Sequence, residues 1–388
     1  MPSVSRPRRG VALIMALLGI VLIAAIISGA FFASTQEFRS GRNMLVEQRA
    51  LAVSEFGLNS EIAAWNPARN LPGGLAVGGV DSLPVYVAAG DSANVSITRL
   101  NPSSFLVVST GRANIPQPML RSARKTSAFV RLAYPDIEPK GAITTRGNLT
   151  VQGSARVDGT NQIPTGWGNC AGYPTDPVPG VYASLTSTVE EKGAGDITTD
   201  PSVPPIVKEE FAGKEENYVN FGSETWTTLA NNADIRIAAG AGNDFTSNVL
   251  PVGTDTTCVA GDTNWGEPWR TSSSIKGCFN RFPIIYSEGD LHLKGNTRGQ
   301  GVLLVNGTLK LNGGFEFYGL VIVRDEIEKL NGTAMIMGAV LVRNATIGDP
   351  SWLGGNQDTF YSKCAVENAL RGSAILVRAK DRSWAQLY

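Results

Sequence analysis

Four cysteines and one histidine carry most of the reactive potential of this chain. Cys170, Cys258, Cys278 and Cys364 show no C-x-x-C spacing, so neither a zinc ribbon nor a redox pair is encoded. In an oxidising compartment they form two disulfides, and four cysteines permit three pairings. Cys258 and Cys278 bracket a short segment around Asn264-Trp265-Gly266, and short loops close at lower entropic cost. That favours Cys258–Cys278 and leaves Cys170–Cys364. His292 alternates with Leu291 and Leu293 and so points off a strand toward solvent. A His-dependent triad or zinc site would rest entirely on it, and no catalytic role is expected. No G-x-S-x-G, Walker A or RTX calcium repeat occurs. Asp325, Glu326 and Glu328 crowd the segment RDEIEK, which reads as a solvated turn. Asn-x-Ser/Thr triplets at Asn94, Asn148, Asn306, Asn331 and Asn344 read as turn chemistry rather than glycosylation sites. The expectation is a protein that is not an enzyme and that holds neither metal nor cofactor.

The elements that carry these residues follow from periodicity. Leu291 and Leu293 are followed eighteen positions on by Leu309 and Leu311. Leu303 and Val305 are followed at eighteen by Val321 and Val323, then at nineteen by Val340 and Val342. Asn-Gly pairs at Asn306, Asn312 and Asn331 sit between these runs, where positive φ is needed. Such a repeat is what a parallel β-solenoid requires, because no coil buries its apolar face alone. An antiparallel sandwich of many short strands is the alternative. The solenoid is placed over 141–347, with GNLTVQGSARVD as an early coil and an irregular, Pro-rich insertion near 164–281. Residues 348–388 are expected to cap its open end. Residues 67–140 open with a Gly/Pro-rich loop to 92. A small antiparallel sheet follows, formed by Asn94–Leu100, Ser104–Thr110 and Arg124–Ala133. The fold class is α+β and mostly β.

Arg6, Arg8 and Arg9 precede Gly10, and from Val11 to Ser34 no residue is charged. About 22 such residues make roughly 33 Å of helix, enough to cross a bilayer core. The arginines put the start of the chain in the cytoplasm. The helical pattern then continues to Asn66-Pro67, with Met44, Leu51, Leu58 and Trp65 recurring every seven positions. One helix over 11–66 is predicted, greasy all round at first and amphipathic afterwards.

The junction RRGVALIMALLGIVL, together with Asn43, Gln48, Ala50 and Glu55, resembles the amino-terminal region of PilX-type minor pilins over residues 8–59. The stretch GQGVLLVNGTLKLNGGFEFYGLVIVR is similar to repeats found behind such helices. The resemblance implies a leader, residues 1–10, cut between Gly10 and Val11 by a prepilin peptidase. It also implies a helix that packs against other pilins and minor pilins in a filament core, and an inner-membrane assembly platform as partner. Met15 stands at the fifth position from Val11, where major pilins of that family carry Glu. In those pilins the Glu neutralises a neighbour's amino terminus, so its absence suits a tip or priming subunit. The K-type minor pseudopilin of type II secretion shares the lack, but its family head is largely helical and binds calcium.

Composition narrows the function. Lys plus Arg and Asp plus Glu both number 34, which argues against a nucleic-acid binder. Charged residues are only 18%, and Gly fills 43 of 388 positions, as suits a turn-rich β protein. Two functions of different classes fit. One is a structural minor pilin-like subunit of the bacterial inner membrane, single-pass in membrane lipid, with a periplasmic or extracellular solenoid head. The other is a membrane-tethered carbohydrate-binding or carbohydrate-cleaving solenoid. The glycine junction and the amphipathic continuation to Trp65 favour the first.

Overall fold

Helix α1 runs unbroken over Val11–Ala63. It ends where Asn66 accepts from the Ala68 N–H and Pro67 opens a single 3-10 turn. The computed structural model describes residues 11–87, 91–114, 121–240, 244–245, 248–343, 351–353, 356–378 and 384–387. Gly10 and the expected leader, residues 1–10, lie outside them.

Behind α1 stands an antiparallel sheet of β1 (Val80–Tyr86), β2 (Ser92–Asn101), β3 (Ser104–Asn114) and β4 (Arg121–Ala133), paired in that order. Val95, Ile97, Phe105, Val107, Ala128, Val130 and Leu132 form its inner face, with Leu58 of α1 in the same cluster. The segment expected to be a loop up to residue 92 thus contains a strand. Pro84 disguises it, and proline is tolerated there because β1 is an edge strand.

The large sheet is parallel and forms a solenoid of three stacks. In one stack Leu291 and Leu293 pair with Leu309 and Leu311. In another, Leu303, Val321 and Val340 lie in successive rungs. The step of nineteen arises because the register skips one residue between Lys329 and Asn331. Gly301, Gly319 and Gly338 stack at one corner with φ of +117°, +137° and +152°. A Cβ on Gly319 would lie 2.2 Å from the Gly301 carbonyl oxygen, so only glycine fits there.

The order of coils in space is not the order in the chain. The Leu303 stack reads Ile206, Val181, Ile143, Val340, Val321, Leu303, Ile285, Ile235. The last coil therefore closes on the first, Val340 pairing with Ile143. Residues 209–234 must then cross from one end of the stack to the other, about 34 Å at 4.8 Å per rung. They do so on the outside, with Phe211 against Tyr182 and Trp226 against Tyr286 at 6.1 and 6.2 Å between ring centroids. Leu304, Ile322 and Leu341, in the row between those two tyrosines, are buried. Runs such as Val302–Val305 are apolar at every position because both their faces are covered.

Two expected boundaries change. The region 164–281 is not a mere insertion: Val181–Ala183, Val189–Gly193, Asp196–Thr198, Ile206–Lys208 and Ile235–Ile237 are solenoid strands. Most are three residues long between Pro-rich loops, too short to show a period. The carboxy-terminal segment is not an end cap. Asn356–Tyr361 lies mid-stack between Ile327–Val342 and Arg156–Asp158. Helix Lys363–Gly372 packs on the solenoid flank, and Ile375–Arg378 and Trp384–Leu387 both pair with β4. Strand edges that would have needed a cap are instead protected at the terminal coil by Glu190, Glu191 and Lys192.

Candidate functional site

Helix α1 has two chemically distinct halves. Leu13, Ile14, Met15, Leu17, Ile20, Ile23, Ile27, Phe31 and Phe32 are all more than half exposed. Among the described residues α1 is the one helix long and apolar enough to cross a membrane. An unpartnered apolar cylinder of this length costs heavily in water, and lipid or other apolar helices relieve that cost.

The second half is seated on the sheet. Its buried residues are Val46, Ala50, Val53, Ser54, Gly57 and Leu58. They are small for the most part, which lets backbone meet backbone. A Cβ on Gly57 would lie 2.5 Å from that of Ala93, and one on Gly111 only 2.3 Å from the Ser54 nitrogen. Ser54 Oγ donates to the Ser109 carbonyl at 2.8 Å and lies 2.8 Å from Thr126 Oγ1. The seven-residue stripe is only partly this face. Leu58 is in the core and Trp65 packs edge-on to Phe105 at 5.1 Å, but Leu51 is half-buried and Met44 is exposed. A strict seven-residue spacing drifts around a straight helix, and the 3-4 spacing of the small residues marks the seat instead.

The helix end is welded to its surroundings. Arg69 pairs with Glu61 of α1 and Asp81 of β1, both at 2.8 Å, and lies over the Trp65 ring at 5.2 Å. Trp65 Nε1 donates to Asn70, and Asn70 Nδ2 donates to the Arg371 carbonyl of the carboxy-terminal helix. Arg99 is buried and donates to the Leu75 and Pro102 carbonyls at 2.7 and 2.8 Å. Burial, then the charge of Arg371, pushes its pKa down. These bonds join α1, the sheet and the solenoid flank into one junction.

The remaining reactive residues are structural in their contacts. Cys170 is bonded to Cys364, tying the 168–170 turn to the carboxy-terminal helix, and Cys258 to Cys278. Glu267 is buried, and its carboxylate accepts from the Trp269 and Ile275 N–H groups and from Arg298 at 3.0 Å. His292 is half-buried, in register between Asp244 and Lys310. Glu328 is not in a free turn. It lies in strand Ile327–Val342, 3.2 Å from Lys310. One outward row was not foreseen: Arg298, Glu316, Met335, Asp358, Arg156 and Asp196 follow one another across six rungs. Parallel stacking brings them together from distant coils, and only the coil order would have revealed it.

No protein-family model matches the chain. No curated protein matches it either. Among solved structures a likeness is found to the crystal structure of competence-associated pilin ComZ from Thermus thermophilus. The TM-score is 0.29 and the identity 12%, over 88% of this chain and 97% of that chain.

Proposed function

We propose that the protein is a minor pilin-like structural subunit of a type IV pilus or related filament or secretion system, with a solenoid head outside the membrane. The observation that carries this reading is the continuity of α1. The same helix presents an exposed, uncharged half and, without a break, an amphipathic half seated on an antiparallel sheet. A simple tether needs no rigid coupling between span and head, whereas a subunit that must move as a unit from membrane to filament does. In this reading residues 1–10 are a cytoplasmic leader removed by a prepilin peptidase. The single span lies in the bacterial inner membrane, and the assembly platform and other pilins are the partners. The role is structural rather than catalytic.

Mass analysis of the mature amino terminus tests it together with co-purification. The expected result is a chain starting at Val11 that carries pilins with it out of detergent-solubilised membranes. An intact Met1 in cells with active prepilin peptidase, and no pilin in the eluate, overturns the proposal.

A further inference from the structure

The chain has no net charge, yet the 23 residues from Gly111 to Ala133 hold Arg112, Arg121, Arg124, Lys125 and Arg131 and not one acid. Four of the five lie at one end of the β3–β4 hairpin. That end is held against α1 close to the membrane-spanning half. Ala113 packs with Val46 and Ala50. Arg124 pairs with Glu47 at 2.6 Å, and Arg49 with Asp91 at 2.7 Å. Glu47 and Asp91 are thus already matched. Arg112 and Lys125 are exposed, as is Arg39 one helical stretch below.

The first charge after Val11 is Glu37, which marks where α1 leaves an apolar environment. Val46 lies nine residues further on, about 14 Å along the axis. Headgroups fill the first several ångströms of that gap, an arginine side chain spans several more, and the screening length is about 8–10 Å at physiological salt. Because α1 is continuous and the sheet is seated on it, the hairpin cannot swing away from this height.

We propose that Arg112 and Lys125 of β3 and β4, with Arg39, rest on the anionic headgroups of the leaflet from which α1 emerges. The contact orients the head over the bilayer before the subunit is drawn into any assembly. Arg131, at the far end of β4 beside Val377, takes no part. The inference rests on α1 being a membrane span, which belongs to the function proposed above.

The test reconstitutes the full chain into phosphatidylcholine vesicles with and without phosphatidylglycerol and follows amide hydrogen exchange. An alkaline wash first establishes that the chain is inserted. Its release by the wash counts against the membrane span itself. For inserted protein the expected result is a severalfold slowing of exchange in β3 and β4 near Arg112 and Lys125 in the anionic vesicles. High salt should reverse it and the double variant Arg112→Glu, Lys125→Glu should abolish it, while Arg131→Glu leaves it intact. Equal exchange in the two vesicles overturns the inference, as does an unchanged slowing in the double variant. Retained disulfides and an unchanged far-UV spectrum verify that each variant is folded.

Discussion

Ser127 and Ala385 are register partners across one sheet, with Ser127 Oγ donating to the Ala385 carbonyl at 3.3 Å, although 258 positions separate them. At the end of the same strand Ala133 pairs with Ile375. The chain leaves the antiparallel sheet at the end of β4, builds the whole solenoid, and returns beside the residue it left. The solenoid is topologically an insertion within the helix-and-sheet unit, and the last strands complete that unit rather than the solenoid.

Excision follows from this geometry. Deleting residues 135–373 and joining the ends by a short Gly/Asn turn should leave a folded, membrane-inserted helix-and-sheet unit. Truncation after Gly372 should instead strip β4 of its edge partners and remove Leu376 from the core cluster. Limited proteolysis of the two proteins in membranes separates them. A protease-resistant truncation, or an excision that is degraded as fast as the truncation, contradicts the insertion topology.

The rung stack is tested at Val321, which is fully buried between Leu303 and Val340. Val321→Asp places an unpaired charge there and should cost more than about 3 kcal/mol. Lys310→Ala, which removes the partly exposed pair with Glu328, should cost under about 1 kcal/mol. Urea denaturation of the two variants measures the difference, and equal midpoints would rule out the stacking.

The corner glycines should be intolerant too, for a different reason. At Gly319 φ is +137° and the space for a Cβ is filled by the Gly301 carbonyl. Gly319→Ala should therefore lose about 1–3 kcal/mol although it adds one methyl group. The same change at Gly29, where nothing lies within 4 Å of the added carbon, should be neutral in detergent. Thermal unfolding of both variants decides it.

Val321 and Gly319 also show how far the sequence could be followed. Stacking in a parallel sheet preserves spacing, so the eighteen-residue rung was legible from Leu303, Val321 and Val340 alone. The long helix was equally clear, because a run without charge has few other structural solutions. What spacing cannot encode is which coil neighbours which. The Val340–Ile143 contact is decided by the path of residues 209–234, and the outward row from Arg298 to Asp196 exists only through it. The seat of α1 was only partly legible, through Leu58, because Ala50, Ser54 and Gly57 make up half of it and apolar periodicity weighs such small residues lightly.

Tyr182 gives the pH dependence a sign. Burial, reinforced by its hydrogen bond to Glu209 at 2.5 Å, pushes its pKa up to about 12. A raised folded-state value means that the protonated phenol is favoured in the native protein. Its contribution is complete below the unfolded value of about 10 and is lost as pH rises through 12. The denaturation midpoint should be insensitive to this group near neutrality and fall above pH 10 or so, and Tyr182→Phe should fall less steeply. Identical slopes in wild type and variant would remove Tyr182 as a cause.

Under the proposed function Met15 bears on assembly, since it is exposed in the uncharged half of α1 at the position where major pilins of the family that the amino terminus resembles carry Glu. In a filament core such a Glu is stabilised only if a neighbour's free amine lies within reach. An unpaired carboxylate at that depth is costly. If the subunit occupies a tip or a priming complex, Met15→Glu should leave incorporation unchanged or lower it. If it is an ordinary shaft component, the new carboxylate should find an amine and incorporation should rise. Quantitative immunoblots of sheared filaments, read as the ratio of this subunit to the major pilin before and after the change, distinguish the two. The expected result is a small ratio that does not increase. A ratio near unity, or a clear gain in the variant, means that the subunit belongs to the shaft and that its missing carboxylate is compensated elsewhere.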